Sequence, residues 1–231
     1  MGFRVLVAGG TGQVGSALVR ALLACSSCIE IVMVNRREAP LAADARLRQV
    51  VMDTGAANFA DEIADLAKTC GAQGEPVYAA SCIGIGAGSA KWSEEDIKKL
   101  EVGVVGAFAR GCLAGGSDRF GLLSAAGSSA KSRIRYARIM GEKEDAVRSL
   151  GFKRLAIFRP GIIAGNAHTP GFVAWLGRLV PGSFGTIEQD DIARAFIGEF
   201  LHGQDGTTIL ENAAMKRRSR AYQVKNGAVM A

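Results

Sequence analysis

The chain has 231 residues, 48% of them hydrophobic, with 28 basic and 22 acidic residues and a net charge of +6. That length and apolar content suit one α/β unit with a full core, and no apolar run approaches the roughly 18 residues of a membrane span. The five cysteines, Cys25, Cys28, Cys70, Cys82 and Cys112, are odd in number and scattered, as expected of reduced thiols. The basic residues are dispersed except for Lys216-Arg-Arg-Ser-Arg220, which speaks for a solvated tail and against nucleic acid.

Met1-Gly-Phe-Arg leads directly into the first apolar run and leaves no room for a cleavable signal. The expectation is therefore a cytoplasmic protein, or an organellar one whose targeting sequence has been removed. Val5 to Ala8 is apolar throughout, as in a central strand of a parallel sheet covered on both faces. Gly9, Gly12 and Gly15 follow at G-x-x-G-x-x-G spacing, which permits a tight turn, close approach of a pyrophosphate and close helix packing. A helix with Val14, Leu18, Ala21 and Leu22 on its apolar side then aims free N–H groups at that turn. Gly9, Thr11, Gly12, Gln13, Val14 and Gly15 are the candidate phosphate-binding residues, and the ligand expected is a dinucleotide. Cys25-Ser-Ser-Cys28 comes after this helix, where no dipole favours thiolate, so it reads as structural.

Ile31 to Val34 predicts the second strand. An NAD site expects an acid about 20 residues after the glycines, for the ribose 2′-hydroxyl. Asn35 stands there instead, followed by Arg36 and Arg37, two guanidiniums where a 2′-phosphate would lie. The expected cofactor is NADP(H); the competing reading has both arginines merely facing water. Gln49 to Asp53 predicts a third strand, and Asp61 to Ala67 a short helix. Asp53 is a candidate acceptor for the adenine amino group, or a cap of the next turn. Glu75 to Gly84 predicts the fourth strand, and the glycine-rich Ile83 to Gly88 a loop at the carboxyl end of the sheet, where Gly84 would let backbone approach the nicotinamide half. Ser93 to Leu113 reads as helix, opened by a Ser-x-x-Asp cap with Asp96. Phe120 to Ser124 is the fifth strand, Tyr136 to Leu150 a helix stopped by Gly151, and Arg154 to Arg159 the sixth strand. Strand and helix alternate through residue 160, which predicts an α/β doubly wound parallel sheet.

Gly9-Gly-Thr-Gly-Gln-Val-Gly15, Leu122-Leu-Ser124, Tyr136 and Phe158-Arg-Pro-Gly161, in this order and spacing, resemble an atypical or extended short-chain dehydrogenase/reductase, in particular the small HIV Tat-interacting-protein-like branch. The resemblance covers roughly residues 3 to 200. It implies a Rossmann fold in one domain, with residues 1–160 as nucleotide-binding core and 161–231 as a small C-terminal substrate lobe and tail. It also implies a Ser/Tyr/Lys catalytic set, in which Ser124 partners the substrate oxygen and Tyr136 exchanges its proton while hydride moves to or from the nicotinamide. Ser128 and Ser129 are stand-ins for Ser124. The lysine that should follow Tyr136 by four residues is Met140, which carries no charge and donates no hydrogen bond. Lys143 shares that helix face about 10 Å further along. Pro160 and Ile162 would border the nicotinamide, and His168, Phe172 and Trp175 line a pocket or fill a core. Glu188 to Phe196 resembles the family's late helix, Thr207 to Glu211 adds a last strand, and Lys216 to Ala231 reads as a tail or docking segment.

Two functions fit. One is a weak NADP-dependent oxidoreductase acting on a small carbonyl or alcohol, with Ser124 and Tyr136. The other is a non-catalytic NADPH-binding redox sensor or accessory subunit of a larger assembly, because the lysine is missing. Either a small-molecule substrate or a protein partner is implied, with no nucleic acid and no membrane span; oligomerisation is open.

Overall fold

Alternate residues of the first strand set the layering. β1 (Phe3–Ala8) sends Val5 and Val7 to one face and Leu6 and Ala8 to the other, and β2 (Cys28–Asn35) repeats the pattern with Ile31 and Met33 against Val32 and Val34. Both faces are covered, so Val5–Ala8 and Ile31–Val34 are apolar at every position, and burying each large side chain contributes roughly 1.5–3 kcal/mol. The computed structural model describes residues 2–40, 43–85, 91–164 and 182–227, with side chains to residue 223.

The main sheet continues with β3 (Leu47–Val51), β4 (Val77–Ser81), β5 (Arg119–Leu123) and β6 (Arg154–Arg159). β7 (Ile162–Ala164) and β8 (Thr186–Glu188) form a separate parallel pair, and β9 (Gly206–Glu211) returns to the main sheet beside β6. Its order is β3-β2-β1-β4-β5-β6-β9, with every pair parallel. The order reverses between β1 and β4, which opens a crevice at their carboxyl ends. This is the expected doubly wound α/β fold.

One face is covered by α1 (Gln13–Leu23), the other by α2 (Phe59–Gly71). After β4 a helical run comprises α3 (Glu94–Lys98), a π-helical turn (Lys99–Val104) and α4 (Val105–Ala114), and then α5 (Arg135–Arg148) leads to β6. α6 (Gln189–His202) and α7 (Asn212–Gly227) pack on the same face as α1. Phe196 of α6 stacks on Phe158 of β6 with ring centroids 3.7 Å apart.

Several expectations shift. The third strand ends at Val51, so Asp53 lies beyond it in a turn. The reading of Lys216 onward as a solvated tail is corrected through residue 227, since α7 begins at Asn212. Met215, Ser219 and Tyr222 bury themselves, Lys216 Nζ donates to the Thr186 carbonyl oxygen, and Arg218 pairs with the buried Glu199 of α6. The periodicity was hidden because the helix carries cations on more than one side, one of them paired inward. Among the described residues no helix is long and apolar enough to cross a membrane.

Candidate nucleotide-binding and catalytic site

The glycine turn closes on itself. Gly9 has φ +77°, a left-handed conformation, and a Cβ there would lie 2.6 Å from the backbone of Cys82 and Ile83 at the end of β4. A Cβ at Gly15 would collide with the Gly9 carbonyl oxygen, so α1 and the turn pack backbone to backbone. Gly12 is the N-cap of α1 and offers no side chain, and the first helical turn has no acidic residue. The helix N-terminus is thus uncapped and electropositive, with Thr11 and Gly12 exposed and Gln13 half-buried. Val14 lies in the core, so toward a ligand it can present only its N–H.

At the end of β2, Asn35 is turned inward and buried. Its Nδ2 donates to Gln49 Oε1 (2.8 Å), which also accepts from the Ala39 N–H (3.0 Å), while Gln49 Nε2 donates to the Ala39 carbonyl oxygen (2.8 Å). Arg36 and Arg37 sit on the exposed loop between, and neither has a partner among the described residues. Asp53 Oδ1 accepts from the Gly55 N–H (2.9 Å), the turn-capping arrangement.

Across the crevice, Tyr136 occupies the first turn of α5 and packs against the buried cluster of Ile97, Ile139 and Met140, as does Ile85. Met140 is 1% exposed, so the position that should hold a lysine is apolar and closed. Lys143, one turn on, is 2% exposed and bonds Glu101 Oε2 (2.8 Å) and the Ile83 carbonyl oxygen (3.3 Å). Glu101, fully buried in the π-helical turn, also accepts from the Ile85 N–H (3.0 Å). The pair therefore rivets α5 and the π turn to the loop containing Gly84, which itself is exposed. Burial, and secondarily the Glu101 carboxylate, raises the Tyr136 phenol above its ordinary value near 10. Lys143 does not rescue it, because its ammonium is engaged with Glu101.

Ser124 follows β5 and is buried. Its Oγ donates to Glu144 Oε1 (2.6 Å) and lies 3.0 Å from Ser128 Oγ, which donates to the Ala125 carbonyl oxygen (2.6 Å). Each hydroxyl has one proton, and both are committed, so Ser124 offers a lone pair rather than a donor. Glu144 is fully buried and also accepts from both Arg159 (2.8 and 2.6 Å) and Arg148 (2.8 Å). Ser129 is exposed, its N–H donating to the Ala137 carbonyl oxygen (3.0 Å).

Pro160 is buried, its carbonyl oxygen accepting from the Ala126 N–H (2.9 Å), and Ile162 is half-buried in β7. His168, Phe172 and Trp175, like the glycine run beyond Ile85 up to Gly88, lie outside the described residues. All five cysteines are free and buried, and burial pushes the Cys28 and Cys82 thiols up to about 12, so neither is a thiolate at neutral pH. No group of metal-ligating side chains occurs among the described residues.

Reading the sequence alone missed Glu101 and Glu144. The signal was present: Glu101 falls on the stripe of Ile97, Val104, Val105 and Phe108, and Glu144 on that of Met140 and Val147. A charge on an apolar stripe needs a buried partner.

Comparison with known proteins agrees with this architecture. The NAD-binding family described as male sterility protein matches residues 7–82. Protein fmp52-1, mitochondrial, from Aspergillus oryzae is 31% identical over 210 residues, covering 86% of this chain and 86% of that protein. Protein fmp52, mitochondrial, from Emericella nidulans is 27% identical over 87% of this chain and 89% of its own length, and Protein HTATIP2 from Rattus norvegicus is 26% identical over 78% and 70%. Among solved structures, MoeE5 in complex with UDP-glucuronic acid and NAD superposes with a TM-score of 0.66 at 17% identity, covering 90% of this chain and 76% of that one. UDP-glucose 4-epimerase of Thermotoga maritima gives 0.65 at 11% identity over 97% and 82%.

Proposed function

This chain belongs to the Fmp52 family, an NAD(P)-binding family of the atypical short-chain dehydrogenase/reductase type, and on that footing we propose that it binds NADP(H) in the β1–α1–β2 crevice and works as a slow oxidoreductase on a small carbonyl or alcohol. The observation that carries the cofactor choice is the commitment of the Asn35 amide to Gln49, which leaves the exposed Arg36 and Arg37 to meet the ribose 2′-position. The uncapped N-terminus of α1 and the close-packed glycine turn fit a pyrophosphate.

When bound, the nicotinamide supplies or accepts the hydride. In reduction the Tyr136 hydroxyl gives its proton to the substrate oxygen, and in oxidation it takes a proton back. The phenolate left after donation is buried beside Glu101 with Met140 where a cation would help, so the step is slow. A reading without chemistry, in which NADPH is held as a sensor or structural ligand, is favoured by one observation: the Ser124 proton is directed at Glu144.

One experiment addresses both. Calorimetry should show NADPH binding more tightly than NADH, with Arg36→Ala/Arg37→Ala removing most of that preference, and aldehyde or ketone reduction should be slow and abolished by Tyr136→Phe. Equal affinities in the unaltered protein would refute the cofactor choice, and turnover indifferent to Tyr136→Phe would refute the proton donor. The mitochondrial relatives favour the organellar of the two expected locations over the cytoplasmic one. Recovery of the tagged protein in the cytosolic fraction alone would overturn that.

A further inference from the structure

The hydrogen bonds around Gln49 run in a fixed direction. Ala39 contributes backbone groups, whose identities are not interchangeable: its N–H can only donate and its carbonyl can only accept. The N–H meets Gln49 Oε1 (3.0 Å) and the carbonyl oxygen meets Gln49 Nε2 (2.8 Å), so the Gln49 amide has a single orientation. That leaves Oε1 facing position 35, where only a donor is accepted. Asn35 Nδ2 supplies it at 2.8 Å. A carboxylate at position 35 would meet Gln49 Oε1, oxygen against oxygen, with neither atom able to donate. Flipping Gln49 to suit the acid would set its amino group against the Ala39 N–H and its oxygen against the Ala39 carbonyl.

The same three bonds shape the loop. By holding both backbone groups of Ala39 beside β3, Gln49 closes residues 35–39 into a short arch whose ends are fixed and whose exposed crown is Arg36, Arg37 and Glu38, with the two guanidiniums leading. The Met52 N–H donating to the Asn35 carbonyl oxygen (2.9 Å) ties the same point to the end of β3.

We propose that Gln49 is a specificity-positioning residue: acting from the neighbouring strand, it requires an amide rather than an acid at position 35 and holds the Arg36–Arg37 arch against the 2′-phosphate of NADP(H). This rests on the proposed NADP(H) reading and adds to it the residue that enforces the choice. A strand residue with no reach to the nucleotide phosphate thus controls which nucleotide is chosen. Asn35→Asp, the change that would ordinarily create an NAD site, fails here to improve NADH binding, because the acid faces Gln49 Oε1.

Calorimetric titration of the full chain with NADPH and NADH tests this. The unaltered protein should prefer NADPH by at least tenfold. Gln49→Leu should cut the NADPH-to-NADH preference at least tenfold, almost entirely by weakening NADPH, with NADH affinity within threefold and the melting temperature lowered by only a few degrees, since the buried Asn35 amide loses its acceptor. Gln49→Glu, which keeps the size and the acceptor but loses the donation to Ala39, should lose part of the preference and serves if Gln49→Leu does not fold. Asn35→Asp should lower NADPH affinity without raising that for NADH. Retention of a strong NADPH preference in both Gln49 variants overturns the positioning role while leaving the NADP(H) reading intact. Equal weakening of both nucleotides overturns it in favour of a purely structural role. Absence of any preference in the unaltered protein removes both the reading and this inference.

Discussion

The β1–α1 turn keeps its polar groups open: an uncapped helix N-terminus, bare glycine backbone, and at the end of β2 two exposed guanidiniums without partners among the described residues. The region around β5 and α5 does the opposite. Lys143 is closed by Glu101, Ser124 by Glu144, Glu144 by Arg148 and Arg159, and the lysine position by Met140. The nucleotide side is made of backbone, which survives wide sequence change as long as the glycines remain. On the proposed reading, the β5–α5 side depends on single side chains, and the apolar Met140 beside Tyr136 changes what the others can do.

The largest effect that would sharpen this contrast is on stability. Glu101→Ala leaves the Lys143 ammonium buried without its partner, and breaking a buried pair in this way costs about 3–5 kcal/mol. Glu101→Leu/Lys143→Met should recover most of that loss in denaturant unfolding. If the single substitution were harmless, the inward-turned charges of the α5 region would be incidental.

A smaller effect involves pH and two buried thiols: Cys28 begins β2, and Cys82 follows β4 beside the glycine turn. Both are raised by burial from 9.0 to about 12. The folded state therefore keeps these protons while the unfolded chain releases them. Stability is full below pH 9 and falls between pH 9 and 12, by roughly 1 kcal/mol per thiol between pH 9 and 10. Unfolding curves at those two pH values should show the loss, and Cys28→Ala should remove its share. A stability rising with pH in that window would contradict the burial of both thiols.

The sheet was legible because its signals repeat: apolar runs, glycine spacing and the Arg154–Arg159 strand stand in the sequence as they do in the fold. Asn35, Arg36 and Arg37 were legible as a departure from an acid, but not Gln49, whose role comes from strand pairing across 14 residues. Glu144 and Arg148 stand at i,i+4 spacing, but Lys143 is 42 residues from Glu101 and Arg159 is 15 from Glu144, and no local pattern announces those pairings. α7 was misread because Lys216 and Arg218, paired to Thr186 and Glu199, looked like solvent-facing charges.

The central claim is that the nucleotide side is intact while the proton-transfer side lacks a charge at position 140. Its most direct test is the single-turnover rate of carbonyl reduction at saturating NADPH, compared between the unaltered protein and Met140→Lys, which adds an ammonium one turn from Tyr136 while Lys143 stays paired with Glu101. Acid/base catalysis typically contributes about 10²- to 10⁴-fold, so even partial repair should raise the rate at least about tenfold. The gain should vanish on adding Tyr136→Phe, with NADPH affinity unchanged throughout. A fast rate in the unaltered protein, or a Met140→Lys protein that binds NADPH as before and gains nothing, would contradict the account.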